Sequence, residues 1–195
     1  LPLLLNSPDS GLVMALNCTI DTIRFNWTVR GNIRVTGFLR INGILIEGQR
    51  FIDEVNPHTT TFEEFKSWVM TQNGQFSVIV EKPGEVWLSC GHTWSYPLFY
   101  RSYDGNVAVS DTPEKMIPLM ATPAMDAGAI PYFLNFGVTP AGKTLVKGIF
   151  QVRPGETVRL YGSATEHTFS RPGEPIRQGA GIPGDPTQQL QGTSG

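Results

Sequence analysis

Two cysteines, Cys18 and Cys90, are the strongest nucleophiles in the sequence. A thiolate can attack an amide carbon when its pKa is lowered or when a base lies beside it. Cys18 leads an apolar segment, and cleavage after Asn17 would turn it into an N-terminal nucleophile. Residues 13–17 show no processing signal, so our main interpretation of Cys18 is a buried strand thiol.

Histidine and cysteine are too sparse to predict a metal centre. His58 and His167 stand alone, and the Cys90-x-His92 pair supplies two ligands, whereas catalytic zinc sites use three and structural sites four. The sequence also lacks a phosphate-binding glycine loop, a dinucleotide fingerprint and a serine nucleophile elbow. We therefore predict no metal and no cofactor in this chain.

Bulk composition predicts one domain with a substantial core. The chain has 195 residues, of which 40% are hydrophobic, and a formal net charge of -2. This balance gives no electrostatic reason to expect nucleic acid or an anionic membrane as a partner. Leu1 to Leu5 is too short for a signal peptide or a membrane span, so we expect a cytoplasmic protein. Composition divides the chain into a domain, residues 1–170, and a Gly/Pro/Gln-rich tail or linker, residues 171–195.

Apolar periodicity predicts an α+β fold with mostly antiparallel sheet. Asn42-Gly43 lies between β-rich runs from Ile33 to Ile46, which favours a hairpin with positive φ at Gly43. Residues 59–61 offer an N-cap for a helix that ends near 73–74. The other predicted strands are 22–27, 76–81, 86–90, 97–101, 106–110, 143–152 and 156–160, and the other short helices begin at 113 and span 126–135, the latter kinked at Pro131. On strand 76–81, alternation predicts Phe76, Val78 and Val80 on the inner face of a two-sheet sandwich, and Ser77 and Ile79 on the other.

Several segments share their order and spacing with one enzyme family. They are Asn73-Gly74-Gln75-Phe76, Tyr96-Pro97-Leu98-Phe99-Tyr100, Val107-Ala108-Val109-Ser110-Asp111, and the run from Asp126 through Gly137 and Gly148 to Gly155. Over about residues 70–160 the chain resembles the glutaminase-like, class II glutamine amidotransferase domain of asparagine synthetases. The resemblance implies an Ntn-hydrolase-like αββα sandwich of two mainly antiparallel sheets.

The resemblance also implies a catalytic site of which little is kept. Active members use an N-terminal cysteine whose own α-amine is the base, whereas this sequence begins Leu1-Pro2. The family's oxyanion-binding turn is matched by Asn42 and Gly43, as an oxyanion-hole remnant or an ordinary hairpin turn. The carboxylate that binds the substrate amine is missing, since Cys90-Gly91 stands at its position.

These observations predict a degenerate, non-catalytic amidotransferase-like domain of an asparagine-synthase-related, ATP-dependent amide-forming enzyme. ATP and Mg²⁺ would belong to a synthetase domain absent from this chain. That domain or a partner chain, with a homodimer as a further possibility, would cover an apolar face formed by Met116, Ile117, Leu119, Met120, Ile130, Tyr132, Phe133 and Phe136. Two alternatives stay open: a glutamine hydrolase that uses Cys18 after processing, and an unrelated binding module.

Overall fold

A computed structural model describes residues 16–161 and 164–169 of the chain, so the predicted tail, residues 171–195, lies outside the described residues. The strands are β1 (Asn17–Asp21), β2 (Thr28–Arg30), β3 (Ile33–Ile41), β4 (Ile44–Glu47), β5 (Gly74–Lys82), β6 (Glu85–Cys90), β7 (Phe99–Tyr103), β8 (Asn106–Ser110), β9 (Phe150–Gln151), β10 (Glu156–Tyr161) and β11 (Ala164–Phe169). The α-helices are α1 (Gly48–Val55), α2 (Phe62–Thr71) and α3 (Ile130–Phe136), and 3₁₀ turns span Asn56–His58, Pro113–Leu119 and Pro140–Gly142.

The strands form two sheets. The larger has the order β11-β10-β6-β5-β3-β2, with β4 paired to β3, and the smaller has the order β1-β8-β7-β9. Every pairing within the described residues is antiparallel except that of β1 with β8. The predicted α+β class with two mainly antiparallel sheets is confirmed.

Three apolar cores separate the layers. The first joins α1 and α2 to the outer face of the larger sheet, through Phe51, Phe65, Phe76 and Trp87 among others. The second lies between the sheets and includes Ile79, Leu88, Val107 and Val109. The third packs the 3₁₀ turn at Pro113–Leu119 on the other face of the smaller sheet. The layer order is therefore helix, sheet, sheet, helix, as the resemblance implied.

Strand β5 shows the predicted alternation with its faces reversed. Phe76, Val78 and Val80 face the helices, whereas Ile79 lies in the core between the sheets. Alternation could not distinguish the two faces because the central strand is buried on both. The prediction that Phe76, Val78 and Val80 face the second sheet was wrong.

The hairpin and the second helix agree with the sequence. Asn42 and Gly43 have φ of 51° and 80°, so both central residues of the turn have the positive φ that a type I′ turn requires. Thr61 caps α2 in a capping box: the Glu64 amide donates to its hydroxyl, and its own amide donates to the Glu64 carboxylate. Helix α1 was not predicted, because it begins at a glycine without a side-chain cap.

Three predicted elements were wrong. Residues 22–27 form a loop, because their amides bond to a carboxylate instead of a strand partner. Pro131 lies in the first turn of α3, where no amide is needed, so it does not kink the helix. Residues 143–152 contain only the short strand β9, since Thr144 Oγ1 donates to local carbonyls of Val146 and Ile149.

Candidate functional site

A buried carboxylate organises the loop that follows β1. Asp111 comes directly after β8 and is fully buried. Its oxygens accept hydrogen bonds from the amides of Ile23, Arg24 and Phe25 at 3.1, 2.8 and 3.1 Å, and from Trp27 Nε1 at 3.0 Å. Four donors from one short segment fix its path, so the loop is held at the end of the smaller sheet.

This loop forms one wall of a polar cleft with a volume of about 500 Å³. The middle of β3 and the start of α1 form the other walls. The lining residues are Arg24, Phe25, Asn26, Thr28, Thr36, Gly37, Phe38, Glu47, Gly48 and Tyr96. We call Asp111 and the four groups that donate to it the Asp111 clamp. Because the clamp holds the loop that forms this wall, the shape of the cleft depends on it.

Close packing shapes the floor of the cleft. Gly37 has φ of 85°, and a Cβ there would lie 2.1 Å from the Gln75 carbonyl oxygen and 2.7 Å from Tyr96 Cε2. Thr36 Oγ1 donates to the Asn26 carbonyl at 3.0 Å, which joins the floor to the loop. The Phe25 and Tyr96 rings meet edge to face at 5.2 Å.

The chemistry of the cleft suits binding. The Arg24 guanidinium lies 5.4 Å from the Phe25 ring centroid, and Glu47 stands on the α1 side. Within the described residues neither side chain forms an ion pair. The lining residues offer both charges and hydrogen-bonding groups, and they include no cysteine and no histidine.

Both thiols lie away from this cleft. Cys18 packs against the core between the sheets, and burial, reinforced by the charge on Glu81, raises its pKa from 9.0 to about 12. Burial likewise raises the pKa of Cys90 to about 12, although its contact with Ser77 Oγ at 3.1 Å acts in the opposite direction. These raised pKa values favour the protonated form of both thiols at neutral pH.

The structure does not bring Asn42-Gly43 together with either the cleft or Cys18. The turn is the exposed tip of the β3–β4 hairpin, outside the cleft lining. Cys18 lies within the electrostatic influence of Arg34, near the other end of β3, whose charge lowers the pKa of the thiol. Eight residues of strand at roughly 3.3 Å each put Asn42 about 25 Å from Arg34 along β3.

Gly91, where the resemblance places a substrate-binding carboxylate, is tightly enclosed. Its amide donates to the Phe76 carbonyl at 2.8 Å. A Cβ at Gly91 would lie 3.1 Å from the Gly74 carbonyl oxygen and 3.3 Å from the Phe76 ring. A carboxylate side chain would need both neighbours to move, so the local packing is adapted to glycine.

Two of the histidines, His58 and His167, have structural contacts. His167 Nδ1 lies 2.8 Å from Glu156 Oε1, and His58 stacks on Trp68 with centroids 5.4 Å apart. Among the described residues, no three His, Cys, Asp or Glu side chains are grouped to hold a metal ion. Over the same residues, no helix combines the length and apolarity needed to cross a membrane.

The two halves of the predicted apolar face behave differently. Met116 is buried, and Ile117 and Met120 pack against the third core, so this half covers the smaller sheet. Helix α3 has no buried residue, and Tyr132, Phe133 and Phe136 are exposed together with Leu134. The prediction of an uncovered apolar face is confirmed for α3 and wrong for Met116.

Comparison with known proteins gives structural likeness only. No family model and no curated protein sequence matches the chain. One similar solved structure is a glutamine phosphoribosylpyrophosphate (PRPP) amidotransferase from B. subtilis complexed with ADP and GMP, with 10% identity and a TM-score of 0.39 over 73% of this chain. Another is described as the allosteric regulatory enzyme of purine biosynthesis, with 12% identity and a TM-score of 0.37 over 75% of this chain. The match spans only 30% and 31% of those two chains.

Sequence reasoning located the thiols and the Asn-Gly turn but missed the Asp111 clamp and the cleft. In the sequence, Asp111 stands out only as part of the segment that resembles the amidotransferase strand. An acidic residue directly after a buried strand is the signal that could have drawn attention to it, since buried carboxylates need several donors. No local pattern indicated which amides would supply them.

Proposed function

We propose that this chain is a non-catalytic glutamine amidotransferase-like domain. Its parent would be an asparagine-synthase-related enzyme that forms amides with ATP. The observation that carries the proposal is the packing of both thiols in or against the core between the sheets, which raises their pKa values to about 12 and favours the protonated form at neutral pH. A glutaminase of this type needs a thiolate with a base beside it.

Sequence order and architecture together support the relationship to amidotransferases. The segments that carry the resemblance form β5, the β7–β8 hairpin and α3, and they stand in a helix–sheet–sheet–helix arrangement. The proposal that the parent is asparagine-synthase-related depends on the sequence motifs.

The amide-forming chemistry would take place in a synthetase domain outside this chain. ATP and Mg²⁺ would bind there, and this domain would serve in packing and assembly. Purified alone, the chain is expected to show no ATP-dependent amide synthesis. Addition of a synthetase partner would be needed for that activity.

The ionisation of Cys18 tests the observation that carries this proposal. In a Cys90→Ala variant, the rate of alkylation by iodoacetamide reports the thiolate fraction of Cys18 as a function of pH. Burial raises the folded-state pKa from 9.0 to about 12, so the rate should still be rising above pH 10. The same protein in urea should titrate near the ordinary cysteine value, which supplies the internal control.

This titration also has a consequence for stability. A raised thiol pKa means that folding favours the protonated form, so the contribution of this thiol to stability is fully present below pH 9.0 and is lost as the pH rises toward 12.

In the alkylation experiment, a midpoint below pH 8 for native Cys18 would instead identify an activated thiolate. That result would favour the alternative in which Cys18 is a nucleophile.

A further inference from the structure

The surface around α3 is the least explained feature of the described structure. We define the α3 surface by Trp94, Tyr132, Phe133, Leu134, Phe136 and Val138. Leu134 and Phe136 are 77% and 70% exposed, and none of the six is buried. An amphipathic surface helix would keep its apolar residues on one covered face, whereas α3 has no buried residue.

The size of the α3 surface matches an interface between proteins. At about 150–250 Å² for a large side chain, the exposed fractions of its six residues correspond to roughly 700 Å² of apolar surface. Monomers rarely leave more than a few hundred Å² of contiguous apolar area uncovered, and a standard interface buries about 800 Å² on each partner. The surface is therefore large enough to hold a stable protein partner.

The charge distribution of the α3 surface fits a second copy of the same chain. Residues 127–142 contain no charged side chain, and the flanking Asp126 and Lys143 neutralise each other at 3.4 Å. A two-fold contact places a surface against its own image, so a charged patch would repel itself whereas this one does not. Homodimer interfaces are also the most apolar class.

The same surface carries both a protrusion and a groove. The groove, of about 320 Å³, lies between Trp94, Phe99, Phe133 and Val138, and the exposed Leu134 and Phe136 stand on the same short helix. In a two-fold arrangement, the protruding side chains of each copy can enter the groove of the other. We propose that the α3 surface is the interface of a homodimer of this chain.

This interface is tested by sedimentation of the full chain over a range of concentrations. The wild-type chain should be dimeric at micromolar concentration. Phe136→Glu places a charge in the contact, so its dimer should dissociate at least about 100-fold more readily. Ile44→Glu is the matched control, because Ile44 is 61% exposed on the β3–β4 hairpin, outside the α3 surface, and its substitution should leave the dimer unchanged.

Amide hydrogen exchange gives an independent measurement without substitution. Exchange at residues 130–138 should slow as the protein concentration rises, whereas exchange at residues 44–47 should not change. Leu134→Glu serves as a second interface variant, and the thermal melt of each variant verifies that it folds. Since Leu134 and Phe136 are exposed, neither change removes a core contact.

Three outcomes would overturn the homodimer: a monomer at every concentration, a dimer that Phe136→Glu and Leu134→Glu leave intact, or a dimer weakened equally by Ile44→Glu. A monomeric chain whose residues 130–138 become protected only on addition of a synthetase domain would assign the surface to that partner. The oligomeric state is measured separately from glutamine hydrolysis. Failure of the dimer therefore leaves the proposed function standing, and the reverse holds as well.

Discussion

Replacing Gly37 by alanine should lower the free energy of unfolding by about 3–5 kcal/mol, because two costs add at this position. Its φ of 85° is unfavourable for any residue with a Cβ, and that Cβ would lie 2.1 Å from the Gln75 carbonyl oxygen. The obstacle is backbone of the paired strand β5, so relief requires the sheet itself to shift. Urea denaturation of the purified variant measures the loss.

Gly43→Ala separates the two costs. Gly43 has nearly the same φ, 80°, but a Cβ there would have nothing within 4 Å. Only the conformational cost applies, so the expected loss is about 1 kcal/mol. If both variants lost the same amount, the close approach of β5 to Gly37 would be contradicted.

Replacing Asp111 by alanine should also cost about 3–5 kcal/mol, because three amides and one indole N–H would lose their acceptor together. The exchange of the amides of Ile23, Arg24 and Phe25 should accelerate in the same variant. Denaturant unfolding and hydrogen exchange therefore test the role of the Asp111 clamp by two independent methods.

Asp53→Ala is the matched control for the clamp. Asp53 is exposed, and its carboxylate pairs with Arg30 at 2.7 Å on the surface. Exposed ion pairs contribute about 0–1 kcal/mol, so this variant should remain close to wild type. An Asp111→Ala variant as stable as Asp53→Ala, with residues 23–25 still protected, would contradict the role of the clamp.

Local chemistry determined the parts of the fold that the sequence predicted well. The Asn42-Gly43 turn, the Thr61 cap and the hairpins on either side of Gly84 and Gly105 depend on residues close together in the chain. Such elements need only the right turn or cap residue. Their existence and type could therefore be predicted without knowledge of the tertiary structure.

Elements that depend on distant partners could not be predicted in the same way. Residues 22–27 have the composition of a strand, but Asp111, more than eighty positions away, accepts their amides. The faces of β5 were assigned in reverse because both are apolar and only the tertiary packing distinguishes them. Composition could not show the exposure of α3 either, since an apolar helix is more often buried.

In the candidate site, too, local sequence predicted some features, whereas others depend on distant partners. Residue type alone identified Cys18, Cys90 and the Asn42-Gly43 turn, whereas their separation in space depends on the path of β3 through the sheet. The raised pKa values of the thiols follow from their burial between packed layers, which no sequence window contains. The cleft required four separate segments to meet and was not predicted.

Release of ammonia from glutamine by the purified chain is the most direct test of the proposal that this domain is non-catalytic. We expect no release above the buffer rate between pH 7 and pH 8, and no difference between wild type, Cys18→Ala and Cys90→Ala, because neither thiol is ionised in that range. A hydrolysing amidotransferase assayed in parallel shows that the assay detects turnover. Steady ammonia release that Cys18→Ala abolishes would contradict the account and would identify Cys18 as a catalytic nucleophile.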